Sequence, residues 1–549
     1  MIRKLFLLFL FLALLMGSAL GDAVPVTLSD ETGSVTIGES GEYLVSGSLT
    51  DGQLRVDAGD GKVTLRLDGA QIACSWDAAL RIDSADKVIL EPVPGTVSSL
   101  TGGGSDEEEG AALYSRADLT IRGEGGLTVT GTAHNGIQTT KDLKLHGSDI
   151  TVTAAGHGIR GKGSVTVNGG RLRIRAGGDG ICSASTQEGK GQIWLKDGEL
   201  SVTADGDGIS AATDLTVSGG TIEILSGGGH GNAASHTSGG WGSGRHHGWD
   251  MDWDTDWDPY EGTETESAET VSAKGLKAGA ALTVEAGSVT IDSADDAIHA
   301  AGEILIGGGQ LTLSTGDDGV HSDTKLTVSG GELTVTASYE GLEAHDILIS
   351  GGTSEVTAED DGLNACGGTD GWSWGRGWDG YEEEEPQTEE TIPTLTITGG
   401  TLHVDAEGDG LDSNGDLTVR GGLVTVDGPT YPMNGALDAG TESGGTCAVH
   451  GGTVLAIGAA GMAESFDSGS TQCSVSAEIP FSAGDTIEIL DADGRTLFSH
   501  TALKSGESVI FSDPALTEGG SYTVRVGGEE EETVTAGYGG KDMDWSWWW

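Results

Sequence analysis

Short alternations of apolar and polar residues run through most of the chain and predict β-strands. Segments such as LTVSGGTIEI (215–224), LTVSGGELTV (326–335) and LTITGGTLHV (395–404) each hold two alternating stretches joined at a Gly-Gly pair. Alternation with a period of two places Val, Ile and Leu on one face of a strand and Thr, Ser and Glu on the other. The pattern therefore predicts an all-β protein whose strands are joined by tight turns.

A second landmark follows these strand pairs after about six residues: an acidic residue, a glycine and an aliphatic residue, as in DGI at 179–181. Asp296, Asp318 and Glu340, which begin three successive copies, are spaced by 22 residues. A unit of about 22 residues with three short strands is one turn of a β-helix, whereas a propeller blade needs twice that period. We expect a right-handed parallel β-helix of about 22 residues per turn.

The ends of the chain depart from this pattern. Residues 1–21 combine a basic start, an apolar run and small residues, which predicts a signal peptide and a secreted, extracellular protein that could also associate with the cell surface. A membrane anchor is the alternative, but the apolar run is short for a span. Residues 478–537 lose the period and predict a small C-terminal β cap, followed by a Trp-rich tail at 538–549.

Between the ends, residues 22–477 form the predicted β-helix, which two long insertions interrupt. They cover about 232–274 and 366–393. Both are expected to leave the coil at the same phase of a turn, so that they emerge along one edge and build a common binding surface.

Charge and cysteine content narrow the possible functions. With 86 Asp+Glu and 28 Lys+Arg, the formal net charge is −58, which argues against nucleic-acid binding because phosphate contacts need a basic surface. The five cysteines are scattered and show no CxxC spacing, so neither a disulfide framework nor a cysteine zinc site is predicted. A Cys447–Cys473 pair remains an open alternative.

Stacking of the repeats predicts a column of carboxylates. Unit charges about 4.8 Å apart repel by roughly 3 kcal/mol at an effective dielectric constant near 20, and Lys and Arg are scarce in this part of the chain. A Ca²⁺ ion, which prefers oxygen ligands, is the expected partner outside the cell. Alternatively, the carboxylates are solvated, partly protonated or bonded to backbone N–H groups. The candidate ligands are Asp295, Asp296, Asp317, Asp318, Glu340, Glu343, Asp360, Asp361 and Asp409.

Most of the 13 tryptophans lie outside the regular repeats, in polar, Gly-rich segments. Indole rings stack on the faces of sugar rings, so we predict carbohydrate binding by the insertions. Alternatively, these side chains fold back onto their own loops or mediate self-association. The candidate carbohydrate-binding residues are Trp241, Trp249, Trp253, Trp257, Trp372, Trp374 and Trp378.

Longer stretches carry a family resemblance. They include GEYLVSGSLTDGQLRVDAGDGKVTLRLDGAQI, EEEGAALYSRADLTIRGEGGLTVTG and PMNGALDAG. From about residue 26 to 535 the chain resembles secreted carbohydrate-binding β-helix proteins of plant-wall-degrading bacteria. The resemblance implies a pectate-lyase-like fold, Ca²⁺ ions on the coil, and binding to acidic and cellulosic polysaccharides. The long Trp-rich insertions are a departure from that family.

These observations favour a non-catalytic extracellular polysaccharide-binding protein that takes plant-cell-wall-type glycans such as pectin or cellulose. Ca²⁺ would stabilise the coil or bridge to uronate carboxylates, because a net charge of −58 repels an acidic glycan. One alternative is a polysaccharide lyase, whose chemistry needs a basic residue near Ca²⁺. The other is an adhesive, self-associating surface protein.

Overall fold

The structure is a computed structural model that describes residues 23–104, 109–233, 272–366, 392–441 and 444–539. The predicted signal peptide, nearly all of both predicted insertions and the last ten residues lie outside these ranges. The signal peptide, secretion and the domain boundaries therefore stay predictions.

The described residues form β-strands and a 3-10 turn at His230–Asn232. The first strands are β1 (Val24–Leu28), β2 (Val35–Ile37), β3 (Gly41–Leu49), β4 (Leu54–Asp57), β5 (Lys62–Leu67), β6 (Gln71–Ala73), β7 (Leu80–Ser84), β8 (Lys87–Pro92), β9 (Val97–Gly102), β10 (Ala111–Ser115), β11 (Asp118–Arg122) and β12 (Gly126–Gly131). Next come β13 (Asn135–Thr139), β14 (Leu143–His146), β15 (Asp149–Ala154), β16 (Ile159–Gly161), β17 (Val165–Ala176), β18 (Ile181–Ser183), β19 (Ile193–Ala204), β20 (Ile209–Ala211), β21 (Leu215–Val217) and β22 (Thr221–Ser226).

The strands after the first insertion are β23 (Leu276–Ala278), β24 (Leu282–Val284), β25 (Ser288–Ser293), β26 (Ile298–Ala300), β27 (Ile304–Ile306), β28 (Gln310–Thr315), β29 (Val320–Val328), β30 (Glu332–Ala337), β31 (Leu342–Ile349), β32 (Thr353–Ala358) and β33 (Leu363–Ala365). The last strands are β34 (Thr394–Ile397), β35 (Thr401–Ala406), β36 (Leu411–Ser413), β37 (Asp416–Asp427), β38 (Leu437–Ala439), β39 (Cys447–Gly458), β40 (Ser474–Phe481), β41 (Thr486–Leu490), β42 (Thr496–Thr501), β43 (Gly506–Ser512), β44 (Ser521–Val526) and β45 (Glu530–Thr535).

One turn of the coil consists of three strands, as in β26, β27 and β28. Each strand pairs in parallel with the equivalent strand of the next turn: Ile298 lies beside Val320, and Gln310 beside Glu332. Both pairs are 22 residues apart. The strands equivalent to β26, β27 and β28 therefore build three parallel sheets, which we call sheets 1, 2 and 3. The chain is a parallel β-helix, which confirms the predicted fold class.

Alternation along each strand builds the core. In β28, Leu311 and Leu313 are buried, whereas Gln310 and Thr312 are exposed. Equivalent aliphatic side chains of successive turns stack inside the coil and form one continuous buried cluster. Each contributes about 1.5–3 kcal/mol when it is fully buried, so the repeated pattern stabilises the coil turn by turn.

The glycine of the acid-Gly-aliphatic triplet is required by a close contact between neighbouring turns. A Cβ atom added to Gly180 would lie 2.2 Å from Cγ1 of Val202, and one added to Gly410 would lie 2.3 Å from Cγ1 of Val426. Both contacts join the corner before sheet 1 to sheet 3 of the next turn. The Gly-Gly pairs between sheets 2 and 3 contain glycine for a different reason. Gly331 has a φ of 83°, which lies in the left-handed region that favours glycine.

The two insertions leave the coil at different corners, so the expectation of a common phase is wrong. The first lies between β22 of sheet 3 and β23 of sheet 1, and the second between β33 of sheet 1 and β34 of sheet 2. A sheet 1 strand of three residues separates these corners, a length of about 10 Å. The acid-Gly-aliphatic pattern did not distinguish them, because Lys274 takes the place of the acid in the triplet at the end of the first insertion.

A second β unit covers the C-terminal end of the coil. Strand β43 pairs antiparallel with β39 and β40, and a separate antiparallel sheet has the order β42-β41-β44-β45. Val454 and Ala456 of β39 face the coil core, while Leu455 and Ile457 face the core of this unit. The last coil strand is thus covered on its outer face, and its pairing with β43 protects an edge that would otherwise pair with another chain.

All five cysteines lie in the described residues and are unpaired, so the open Cys447–Cys473 alternative is wrong. Within the described ranges, no helix has the length and apolar character needed to cross a membrane.

We predict that Gly180→Ala destabilises the coil by about 1–3 kcal/mol, because its Cβ overlaps the Val202 side chain. The midpoint of urea unfolding measures this loss. Gly38→Ala is the matched control, since its nearest neighbour would be 3.9 Å away, and we expect a change within about 0.5 kcal/mol. Equal midpoints for the two variants would contradict the close-contact explanation.

Candidate functional site

The residues that begin the triplets stack at the corner between sheets 3 and 1, and all but one of them are acidic. We call this row the acid column; in chain order it consists of Asp179, Asp207, Lys274, Asp296, Asp318, Glu340, Asp361 and Asp409. The register of the adjoining sheet 1 strands fixes this order from turn to turn.

In several carboxylates of the acid column, one oxygen accepts a hydrogen bond from a backbone N–H group. Asp296 Oδ1 accepts a hydrogen bond from the N–H of Asp318 at 3.3 Å, and Asp361 Oδ1 accepts one from the N–H of Asp409 at 2.6 Å. Each bond joins one turn to the next at the same position in the corner. The column therefore has a structural role, which was one of the alternatives open at the sequence level.

Lys274 supplies a positive charge that the sequence argument overlooked. It occupies the acid column one turn before Asp296, and its Nζ lies 2.8 Å from Asp295 Oδ1 and also contacts Asp296 Oδ2. Burial of Asp296 raises its pKa, but the hydrogen bond with His299 and the charge of Lys274 outweigh this effect and hold the pKa below its usual value. The Asp295–Asp296 pair is thus already neutralised in part by the protein.

Two histidines of sheet 1 face the acid column. His299 and His321 lie in neighbouring turns with their ring centroids 4.9 Å apart. His299 Nδ1 is 3.0 Å from Asp296 Oδ2, and His321 Nδ1 is 3.2 Å from Asp318 Oδ2. His321 Nδ1 is also 3.6 Å from Glu343 Oε2. The histidines therefore share the carboxylates of two adjacent turns.

Farther along the acid column, Asp318, Glu340 and Asp361 lie close to other carboxylates. Among the described residues, none of these three forms an ion pair with Lys or Arg. Burial and the charge of Glu343 raise the pKa of Glu340 to about 8. Burial and neighbouring carboxylates also raise the pKa values of Asp318 and Asp361 well above the usual range.

The chemistry of this stretch fits a divalent cation. One oxygen each from Asp295, Asp296 and Asp317 lies within 4.8 Å of the others, but Lys274 already contacts two of these residues. The carboxylates from Asp318 to Asp361 repel one another, and a bound dication would remove that repulsion. Oxygen ligands suit Ca²⁺.

The nine predicted ligands are not all in one place. Asp295, Asp296 and Asp317 form one group, and Asp318 and Glu343 form another with His321. Asp360, Asp361 and Asp409 lie in later turns, where Asp409 accepts a hydrogen bond from the N–H of Gly435. Glu340 accepts a hydrogen bond from Nδ2 of Asn364 at 2.9 Å. Ca²⁺ ligation by these residues stays a prediction.

The seven candidate carbohydrate-binding tryptophans all lie outside the described residues. A different tryptophan, Trp194, is partly exposed on sheet 2 and lines a groove of about 450 Å³. Lys144, Thr166 and Trp194 occupy equivalent positions of consecutive turns, so their side chains stand in a row. Lys196 also lines this groove, with its Nζ 5.9 Å from the Trp194 ring centroid. We call this feature the Trp194 groove.

The turns that form the Trp194 groove are basic although the chain is strongly acidic. Residues 116–196 contain 11 Lys+Arg and 6 Asp+Glu, a net charge of +5, whereas the whole chain carries −58. Burial and the charges of Lys144, Lys87 and other cations lower the pKa of His146, which lines the same groove. A local charge count would have revealed this region from the sequence, where the total charge concealed it.

Comparison with known proteins places the matching region over the groove and the first part of the acid column. A family described as "Carbohydrate-binding domain-containing protein" matches residues 31–319. An Acetivibrio thermocellus protein with the same description is 40% identical over 135 residues, covering 23% of this chain and 47% of that relative. The match thus spans about half of the relative's length.

Among solved structures, the polysaccharide lyase-like protein from C. thermocellum, in its gadolinium derivative, is 36% identical. The similarity covers 36% of this chain and 83% of that chain, with a TM-score of 0.35.

We predict that metal-free protein loses stability as the pH rises toward 8, and that Glu340→Gln weakens this dependence. The folded-state pKa of Glu340, about 8, is above the ordinary value of 4.5, so the folded state binds more protons between these values. Its contribution is therefore present below pH 4.5 and lost as the pH rises through 8. Urea midpoints measured in EDTA between pH 5 and 9 test this.

The control is Glu223→Gln, which removes an exposed carboxylate from sheet 3. Its pH profile should parallel that of the wild type. A Glu340→Gln profile that also parallels the wild type would show that Glu340 does not titrate differently in the folded state.

Proposed function

Because the chain belongs to the family of carbohydrate-binding domain-containing proteins, we propose that it is a non-catalytic extracellular polysaccharide-binding protein that uses the Trp194 groove. The observation that carries this proposal is the combination of an accessible indole ring with two lysines in one groove. An indole face stacks on a sugar ring, and an ammonium group pairs with a carboxylate on that sugar. The groove thus favours an acidic glycan that contains uronate residues, such as pectin.

The net charge of the chain does not prevent this binding. Charges separated by more than about 8 Å are largely screened at physiological ionic strength, so nearby groups dominate the potential in the groove. There, Lys144 and Lys196 lie beside Trp194, and the carboxylate of Asp142, which also lines the groove, is paired with Lys190 at 2.9 Å. An acidic glycan can therefore approach this part of the coil without a bridging cation.

Ca²⁺ has a separate role in this proposal. The carboxylates of Asp318, Glu340, Glu343 and Asp361 would hold the ion along the acid column, where it would offset their repulsion and stabilise the coil. This proposal rests on the stacking of these residues in successive turns, where burial and neighbouring carboxylates raise the pKa values of Asp318, Glu340 and Asp361. The tryptophans of the two insertions would add stacking surfaces, including surfaces for neutral glycans such as cellulose.

A lyase is the second candidate, because Lys274 and Lys277 lie beside the acid column. A lysine acts as a general base only as the uncharged amine. Burial lowers the pKa of Lys274, but the charges of Asp296 and Asp295 outweigh this effect and raise it above its ordinary value. Lys274 is therefore held as an ammonium ion, which favours binding over β-elimination.

We predict that Trp194→Ala weakens binding to polygalacturonate by at least about tenfold, equivalent to about 1.4 kcal/mol, because it removes the stacking surface. Affinity electrophoresis in gels containing polygalacturonate or a neutral glucan measures this loss. Lys144→Gln with Lys196→Gln should weaken binding to polygalacturonate but not to the glucan, since only the former carries carboxylates.

Trp76→Ala is the matched control, because Trp76 is 55% exposed but does not line the groove. Wild-type affinity in the Trp194→Ala variant would exclude the groove as the binding surface. Unsaturated products absorbing at 235 nm, released by wild-type protein from polygalacturonate, would overturn the non-catalytic assignment.

We also predict that Ca²⁺ raises the thermal unfolding midpoint of EDTA-treated protein, with a dependence on free Ca²⁺ concentration that follows mass action. Asp318→Asn combined with Glu340→Gln should reduce this shift, because two ligands lose their charge. Glu223→Gln is expected to keep it. An identical shift in the double variant and the wild type would place the ion elsewhere.

A further inference from the structure

Two histidines and an aspartate meet where the C-terminal β unit contacts the coil. His403 lies on β35 and Asp427 at the end of β37, both in sheet 3. His500 lies on β42, in the separate antiparallel sheet. The three residues therefore join two parts of the chain that belong to different sheets. The family match ends at residue 319, well before any of them.

The imidazole rings converge on one carboxylate oxygen. Nε2 of His403 is 3.0 Å from Oδ2 of Asp427, and Nε2 of His500 is 2.8 Å from the same oxygen. One possible ligand atom from each side chain lies within 4.8 Å of the others. The Asp427 side chain is only 1% exposed, so these contacts form in a largely dehydrated place.

The second oxygen of Asp427 fixes the orientation of this group. Oδ1 accepts a hydrogen bond from the backbone N–H of Leu503 at 2.9 Å. This bond directs Oδ2 toward the two imidazoles. Supporting hydrogen bonds of this kind orient the ligands in protein metal sites.

Each nitrogen needs an N–H hydrogen or a bound cation between it and the oxygen. A nitrogen lone pair cannot face a carboxylate oxygen favourably, so each Nε2 must carry a proton or bind a cation. The hydrogen bond with Asp427 raises the pKa of His403 against the opposing effect of burial, and Asp405 and Glu355 act in the same direction. Lys504 offsets part of this charge, because its Nζ is 2.9 Å from Asp405 Oδ1.

We propose that His403, Asp427 and His500 form a zinc site that fastens the C-terminal β unit to the coil. Two imidazole nitrogens and one carboxylate oxygen suit Zn²⁺, whereas Ca²⁺ prefers oxygen ligands alone. Tetrahedral bonds of about 2.0–2.2 Å place neighbouring ligand atoms about 3.3 Å apart. The observed distances of 2.8 and 3.0 Å need to widen by only a few tenths of an ångström.

Water could supply a fourth ligand, since only Asp427 of the three side chains is fully buried. His403 is 34% exposed and His500 is 17% exposed, so water can reach the ion from the side of His403. The bound ion would connect three residues that span 98 positions of the chain. It would therefore act on the contact between the β unit and the coil, independently of the Trp194 groove and of glycan binding.

The test is zinc titration of the full chain after its metals have been removed with EDTA and the chelator exchanged away. Isothermal titration calorimetry at pH 7.5 should show one more bound Zn²⁺ in the wild type than in the His403→Gln/His500→Gln double variant. The zinc stoichiometries of the two proteins are compared by difference, because His299 and His321 also lie near carboxylates and offer other places for zinc. The thermal midpoint of the wild type should rise with the logarithm of the free zinc concentration, and this rise should shrink in the double variant.

Asp427→Asn should lower the affinity of this site at least tenfold, and His450→Gln, which alters a histidine that contacts Thr471, should leave it unchanged. Equal zinc stoichiometry in the wild type and the folded double variant would overturn the proposal. A crystal of wild-type protein soaked in zinc gives a measurement that does not depend on any variant. Anomalous scattering density between His403, Asp427 and His500 would support the site, and density only at other positions would overturn it.

Discussion

Parallel stacking of successive turns is the interaction on which the rest of the structure depends. Strands about 4.8 Å apart bring each residue into contact with its equivalents in the turns before and after it. This is favourable for aliphatic side chains, which form one continuous core. It leaves no room for a Cβ at Gly180 or Gly410, and it forces like charges together wherever the repeat carries an acid. Side chains at equivalent positions of successive turns therefore form columns along the coil.

Several contacts reduce the repulsion between the stacked carboxylates of the acid column. Backbone N–H groups of the next turn bind oxygens of Asp296 and Asp361. Lys274 neutralises part of the charge beside Asp296, and His299 contacts the same carboxylate. Where contacts with Lys and Arg end, burial and the charge of Glu343 raise the pKa of Glu340. A divalent cation would reduce the repulsion there in solution at neutral pH.

Charge is also separated along the coil, and this separation underlies the proposed division of roles. The turns around Trp194 carry a net positive charge in an otherwise acidic chain and present an indole ring beside lysines. The later turns carry the carboxylates with raised pKa values. Glycan recognition and cation binding would therefore occupy different turns of the same coil, with sheet 2 serving one and the corner before sheet 1 serving the other.

The sequence by itself determined the parallel β-helix, because the 22-residue spacing of Asp296, Asp318 and Glu340 and the alternation around them directly express the stacking period. It also predicted which carboxylates share a column. It did not identify the corners from which the insertions leave, because Lys274 takes the place of the acid in the triplet at the end of the first insertion. Lys274 is the last residue of the first insertion, so its place beside Asp296 became visible only through the register. Only the tertiary structure brought His403, Asp427 and His500 together, because the contact between the C-terminal unit and the coil follows no repeat.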